Sequence, residues 1–210
     1  MSLDHIIDII QSKKSKSTQN YHIGMRITPI NRMDHGDYSY ILSAPYGQIT
    51  DEKFKPYLTP QEMLMYGVFE GKYICDCATE FPKEWYVGAI NCQTLSPDIP
   101  DIECNYFKIK SRLSRTTWIK NGWIPVAPND PDNRGWFQWY CRYYIGRRIP
   151  NVDKIQIKRW RAFNRHMGQI KKNCDINRLD PLQCRPKQRQ ALLQWAYNGF
   201  YPQSKPTLHI

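Results

Sequence analysis

Apolar residues recur at helical spacing through the second half of the chain. Val152, Ile155, Trp160, Phe163, Met167, Ile170 and Cys174 fall at steps of three and four, with one step of five. That pattern predicts one helix with a single apolar stripe. Asn151 is a fair N-cap for it, and Pro150 keeps the entering chain extended. Lys154, Lys158, Arg161, Arg165 and Lys172 repeat at steps of four, three, four and seven. At ~100° per residue they form a second stripe, roughly opposite the first. Asp153 is the only acid between Val152 and Asn173, and it sits in the first turn, where the helix dipole favours it.

Just upstream, residues 132–145 predict a helix ending at Gly146, with Asp130–Pro131 as its start signal. Phe137, Tyr140 or Cys141, and Tyr144 line one side, while Trp136, Trp139 and Tyr143 crowd the others. A helix aromatic on nearly every face belongs in the buried centre. Thr59, Pro60 and Glu62 form a capping box with proline in the first turn, and Gly67 can end that helix. A short helix over 3–11 places Leu3, Ile6, Ile7 and Ile10 on one side. The polar run 12–19 reads as a flexible basic linker. Short β-type pieces over 21–27 and 38–42 lie among Gly, Pro and Asn turn signals. Residues 106–120 fit a strand or a short helix. A last helix from about Pro186 turns Ala191, Leu192, Trp195 and Ala196 inward.

These elements predict an α+β protein. A small acidic β-containing N-terminal region packs on a mainly helical, aromatic-cored, basic C-terminal half. The expected divisions are 1–20, 21–105 and 106–210, the last two possibly one continuous domain. The loop around Pro97 and Pro100 marks the boundary near 105.

Charge sharpens this division. Residues 1–105 hold 9 Lys and Arg against 14 Asp and Glu, net −5; residues 106–210 hold 21 against 5, net +16. So polarised a chain repels itself unless an anionic partner neutralises it, and nucleic acid is the common case. An acidic protein is the second candidate partner. Phosphate contacts are expected from the stripe residues Lys154, Lys158, Arg161, Arg165 and Lys172. Arg142, Arg147, Arg148, Arg185 and Arg189 are expected to join them. Cations at the start of the last helix suit a bound phosphate, because helix N-termini attract anions.

Length and cysteine usage set the remaining bounds. The 210 residues, 41% hydrophobic, suffice for one large or two small domains. Nowhere do about 20 apolar residues occur in a row, so no transmembrane helix is expected. The start M-S-L-D-H-I-I-D carries acids where a secretory signal carries cations. Seven cysteines without such a signal are most simply reduced thiols in a cytoplasmic setting. Cys75 and Cys77 are C-x-C; Cys92 and Cys104 follow without histidine at a ligand spacing, so neither a metal nor another cofactor is expected.

Four acids, Glu70, Asp76, Glu80 and Glu84, fall within fifteen residues. Such carboxylates serve general acid–base chemistry, or they pair with the basic half and fix the two halves together. Glu70 and Asp76 are the candidate catalytic residues, because each sits among aromatic or apolar neighbours where burial raises a carboxyl pKa.

The runs T-P-Q-E-M-L-M-Y-G-V-F-E-G-K-Y, D-N-R-G-W-F-Q-W-Y-C-R-Y-Y-I-G-R-R, Q-I-K-R-W and C-R-P-K-Q-R-Q-A-L-L-Q-W-A-Y resemble an uncharacterised protein family of large DNA viruses and scattered microbial genomes. The resemblance covers roughly residues 55–200. It implies a DNA-related setting, host cytoplasm or virion, and assigns no catalytic residue. The expected function is nucleic-acid binding, with DNA ahead of RNA. The alternatives are an enzyme acting on nucleic acid, by base excision or phosphodiester cleavage, and a packaging protein with no chemistry.

Overall fold

The computed structural model describes residues 1–30, 38–123, 132–175, 177 and 179–208. It is mainly helical. The helices are α1 (Leu3–Gln11), α2 (Pro60–Met65), α3 (Lys83–Asn91), α4 (Arg115–Lys120), α5 (Trp136–Tyr144), α6 (Pro150–Phe163), α7 (Arg165–Asn173) and α8 (Pro186–Leu193). The β content among the described residues is one antiparallel pair, β1 (Arg26–Ile27) and β2 (Tyr40–Ile41), with Arg26 opposite Ile41 and Ile27 opposite Tyr40. The start signal Asp130–Pro131 lies outside the described residues.

The α2 start forms as its local signals dictate. Thr59 accepts from the Glu62 backbone N–H, and the Glu62 carboxylate accepts from the Thr59 backbone N–H at 2.8 Å. Gly67 then takes φ +63, and a Cβ there would come 1.5 Å from the Cys104 carbonyl oxygen. Only glycine fits that left-handed, crowded position.

The centre of the molecule is α5, in which every residue from Trp136 to Tyr143 is buried. Phe54 packs on Trp139, Tyr140, Tyr143 and Trp160, with ring centroids 4.9–5.7 Å apart and mostly edge-to-face. One cluster of buried residues runs from Ile6 to Phe200, so the expected regions 21–105 and 106–210 share a core. Gly146 closes α5: at φ +116 its carbonyl accepts from the Ser43 and Ala44 N–H groups, tying the chain after β2 to the helix end.

Two local expectations are revised and one open choice is decided. The run 12–19 is docked to the body: Lys16 Nζ donates to the Thr79 carbonyl at 3.0 Å, and Ser17 Oγ and the Thr18 N–H donate to the Glu84 carboxylate at 2.6 and 3.0 Å. Of the two forms left open for 106–120, residues 115–120 take the short helix. The long helix expected after Asn151 is two helices that meet at Asn164, and α6 is capped at Ile149, with Pro150 in its first turn. Its inward face also differs. Ile155 is 59% exposed, whereas Asp153, Gln156, Ile157 and Trp160 are buried. Asp153 turns in because two donors need it: Trp139 Nε1 at 2.8 Å and the Ile149 N–H at 2.9 Å. Burial pushes its carboxyl pKa up, and these hydrogen bonds oppose that shift.

Candidate nucleic-acid interface

The ten cations expected to meet phosphate separate into two groups. Lys154, Lys158 and Arg161 are exposed on α6, Arg165 and Lys172 on α7, and Arg185 at the start of α8. On α6 the first three lie within roughly 60° of one another around the helix axis. Among the described residues none of these six forms an ion pair with an acid. Arg165 donates to the Ala162 carbonyl at the α6–α7 junction, and Arg185 to Gln188. Their charges therefore face solvent with no carboxylate in contact.

Arg142, Arg147 and Arg189 are interior groups, which corrects their expected role in phosphate contact. Arg142 is fully buried. It donates from Nε and Nη2 to the Glu80 carboxylate at 2.6 and 3.2 Å, and from Nη1 to Asp132 at 3.3 Å. Arg147 donates to the other Asp132 oxygen at 2.5 Å and to the Tyr38 hydroxyl at 3.1 Å. Tyr40 donates to Glu80 at 2.8 Å. Two guanidinium groups and two carboxylates thus form a charge-balanced cluster, the arrangement that lets ions stay buried. Arg189 bonds backbone only: its fork donates to the carbonyls of Pro181, Cys184, Gly199 and Tyr201 at 2.6–3.0 Å. Arg148 is half-buried, lies 3.7 Å over the Tyr143 ring and donates to three backbone carbonyls. With Arg189 drawn inward, the α8 N-terminus keeps Arg185 and Lys187 alone as surface cations.

The two candidate carboxylates also find partners. Glu70 is buried and accepts from Arg112 Nη2 at 2.8 Å, while its Oε1 has no hydrogen-bond partner. Asp76 takes a two-pronged bond from Arg134 at 2.5 and 2.6 Å and stays 20% exposed. Phe69, Glu70 and Ile74 all adopt left-handed backbone angles, φ +56, +59 and +56. Such non-glycine residues are uncommon and gather at functional sites.

This segment forms one wall of a cleft that the sequence reading missed. Two adjoining cavities share Phe69, Tyr73, Arg112, Trp118 and Arg134 as lining residues. The first, about 470 Å³, is bounded by Asp76, Asp98 and Lys72. The second, about 420 Å³, reaches Phe163 and Arg165 at the junction of α6 and α7, and Trp195 beyond α8. The available signal was the dense interleaving of rings with arginines after Arg134. Folding brings Phe69 and Trp118 to them from more than ten residues away on other elements, and spacing does not show that.

The thiols offer no reactive group here. Burial pushes Cys75 up to about 12 and Cys77 well above the ordinary thiol value. Cys174 and Cys184 are joined as a disulfide, which corrects the expectation that all seven cysteines are free thiols. Among the described residues no three His, Cys, Asp or Glu side chains come together as a metal site. No helix there is long and apolar enough to cross a membrane.

Compared with family models, curated proteins and solved structures, the chain matches none.

Proposed function

We propose that the protein binds nucleic acid through backbone phosphates on the α6–α7 face. The observation that carries this reading is the set of exposed cations, Lys154, Lys158 and Arg161 along one side of α6 and Arg165 and Lys172 on α7, with no acid in contact with any of them among the described residues. A solvated helix face ordinarily mixes both signs. The acids of the N-terminal region are meanwhile engaged with arginines from beyond residue 105: Glu70 with Arg112, Asp76 with Arg134 and Glu80 with Arg142. They hold an acidic region on a basic half and leave the outer cations to a partner. Such contacts position a polymer without reading its sequence. The resemblance of residues 55–200 to a family from large DNA viruses puts DNA ahead of RNA, in host cytoplasm or virion.

Fluorescence-anisotropy titration with short single- and double-stranded DNA and RNA at two salt concentrations tests this. Each phosphate contact contributes about −0.9 to the slope of log affinity against log salt on a duplex, so five contacts give roughly −4 to −5. Reversing Lys154, Lys158 and Arg161 to Glu should abolish binding. Affinity that is indifferent to salt, or unchanged in the reversed variant, would overturn the reading.

A second reading, an enzyme acting on the bound strand, is favoured by Asp76. Its carboxylate lines the cleft, partly exposed and held by Arg134. Asp76→Asn should then leave strand binding intact and remove base release or strand cleavage. A wild-type protein that leaves every strand chemically unchanged would sink this version and return the packaging role.

A further inference from the structure

The second cavity differs in chemistry from its neighbour. Its wall carries eight Phe, Tyr and Trp rings and four arginines, of which Arg112 and Arg134 are paired with Glu70 and Asp76 while Arg159 and Arg165 meet no carboxylate among the described residues. A volume of about 420 Å³ is within the ordinary range for small-ligand sites. The Phe163 and Trp195 rings stack at 4.8 Å and 11°, and Trp136 stacks behind Trp195 at 4.9 Å and 28°. Trp118, also in the wall, lies 6.4 Å from both Phe69 and Tyr73 in edge contacts.

One further observation points to an anionic occupant. Arg159 lies against the Trp195 ring, donates to Gln156 at 3.1 Å and has no carboxylate partner among the described residues. Burial lowers its pKa, as it does for a cation that lacks a counter-ion.

We propose that this cavity binds a single nucleotide, its base on the Trp118 ring, which no described ring stacks upon, and its phosphate on Arg159 and Arg165. Every base has a π face, so stacking tolerates any of them, and guanidinium groups suit phosphate oxygens. Arg165 belongs both to the exposed set and to the cavity wall, so a strand lying along α6 and α7 can deliver one unpaired base inward. In that respect the inference rests on the nucleic-acid reading above. Taken alone it requires only a mononucleotide.

The test is tryptophan fluorescence of the whole protein titrated with deoxynucleoside monophosphates, with deoxyribose phosphate and inorganic phosphate as controls. Saturable quenching by the nucleotides, roughly tenfold tighter than by deoxyribose phosphate, is expected from base stacking. Trp118→Ala should weaken it by a similar factor, read on the remaining tryptophans. Because Trp118 packs on the core, a second measurement avoids substitution: photo-cross-linking with iododeoxyuridine monophosphate should label Trp118, Phe163 or Trp195. Labelling confined to other surfaces, or equal quenching by deoxyribose phosphate, overturns the proposal. Nucleotide binding with cavity labelling supports it even where oligonucleotides bind no tighter, a result that removes the polymer reading alone. Oligonucleotide binding without nucleotide quenching or cavity labelling removes the cavity site and leaves the polymer reading in place.

Discussion

Arg142 and Glu80, 62 positions apart, meet where neither side chain touches solvent, with Nε donating to Oε1 at 2.6 Å. Asp132 and Arg147 complete the cluster, and the Tyr38 and Tyr40 rings lie beneath the Arg142 guanidinium. Removing one member leaves an uncompensated buried charge. Glu80→Ala should cost about 3–5 kcal/mol of stability. Urea unfolding of this variant beside Glu80→Ala/Arg142→Met checks it: the pair should recover part of the loss. Equal or greater loss in the double variant would show that the electrostatic balance is not what holds this region.

Arg189 ties two backbone stretches, 181–184 and 199–201, through four carbonyls at once by the planar spread of its donors. Lysine carries the same charge with a point-like head and three donors. Arg189→Lys should therefore lose about 2–3 kcal/mol by stranding buried carbonyls. Thermal unfolding is the readout, and a melting temperature like that of the parent protein would refute the assignment.

Legibility followed the range of the interactions. The Thr59 cap and the Gly67 stop were readable because every participant lies within eight residues. The burial of α5 was readable because no orientation of that helix could keep its rings in water. The inward face of α6 was misread. Its stripe was drawn through Phe163 into Met167 as though Asn164 were helix interior, and Asp153 was treated as a dipole charge when it is the acceptor for Trp139. The fate of Arg142, Arg147 and Arg189 depended on carboxylate partners 10–62 residues distant or on backbone carbonyls, and neither leaves a mark in local spacing. The cleft was invisible for the same reason, since its walls converge from separate elements.

The Cys174–Cys184 bond closes a loop of sequence separation 10 between the end of α7 and the start of α8. By restricting the unfolded chain it should contribute about 2–3 kcal/mol. Cys184→Ser, or the parent protein in reductant, should melt several degrees lower, and the two effects should not add. A melting temperature indifferent to both would argue that the bond contributes nothing.

His166 sits at the cavity wall, where its Nδ1 accepts from Gln188 Nε2 at 2.9 Å and its ring packs on Phe163. Burial first, and the Arg165 charge second, hold its pKa below the ordinary value. The unfolded chain therefore takes up this proton first. Its contribution to stability is complete above ~6.5 and is lost as pH falls below that value. His166→Gln should flatten the decline in urea midpoint between about pH 7.5 and about pH 5.5. An unchanged slope would place the titration elsewhere.

The burial of Arg142, Arg147 and Arg189 bears on how natural variation in this protein should be interpreted. Each is irreplaceable for reasons of architecture, so drift would be tolerated less at these positions than on the outer helical face. Lys154, Lys158 and Lys172 can trade places with neighbouring cations, provided the local field is kept. Across descendants of this chain the most invariant arginines should thus be those sealed inside, while the outer helical face, under the proposed phosphate binding, changes its individual residues and preserves its sign.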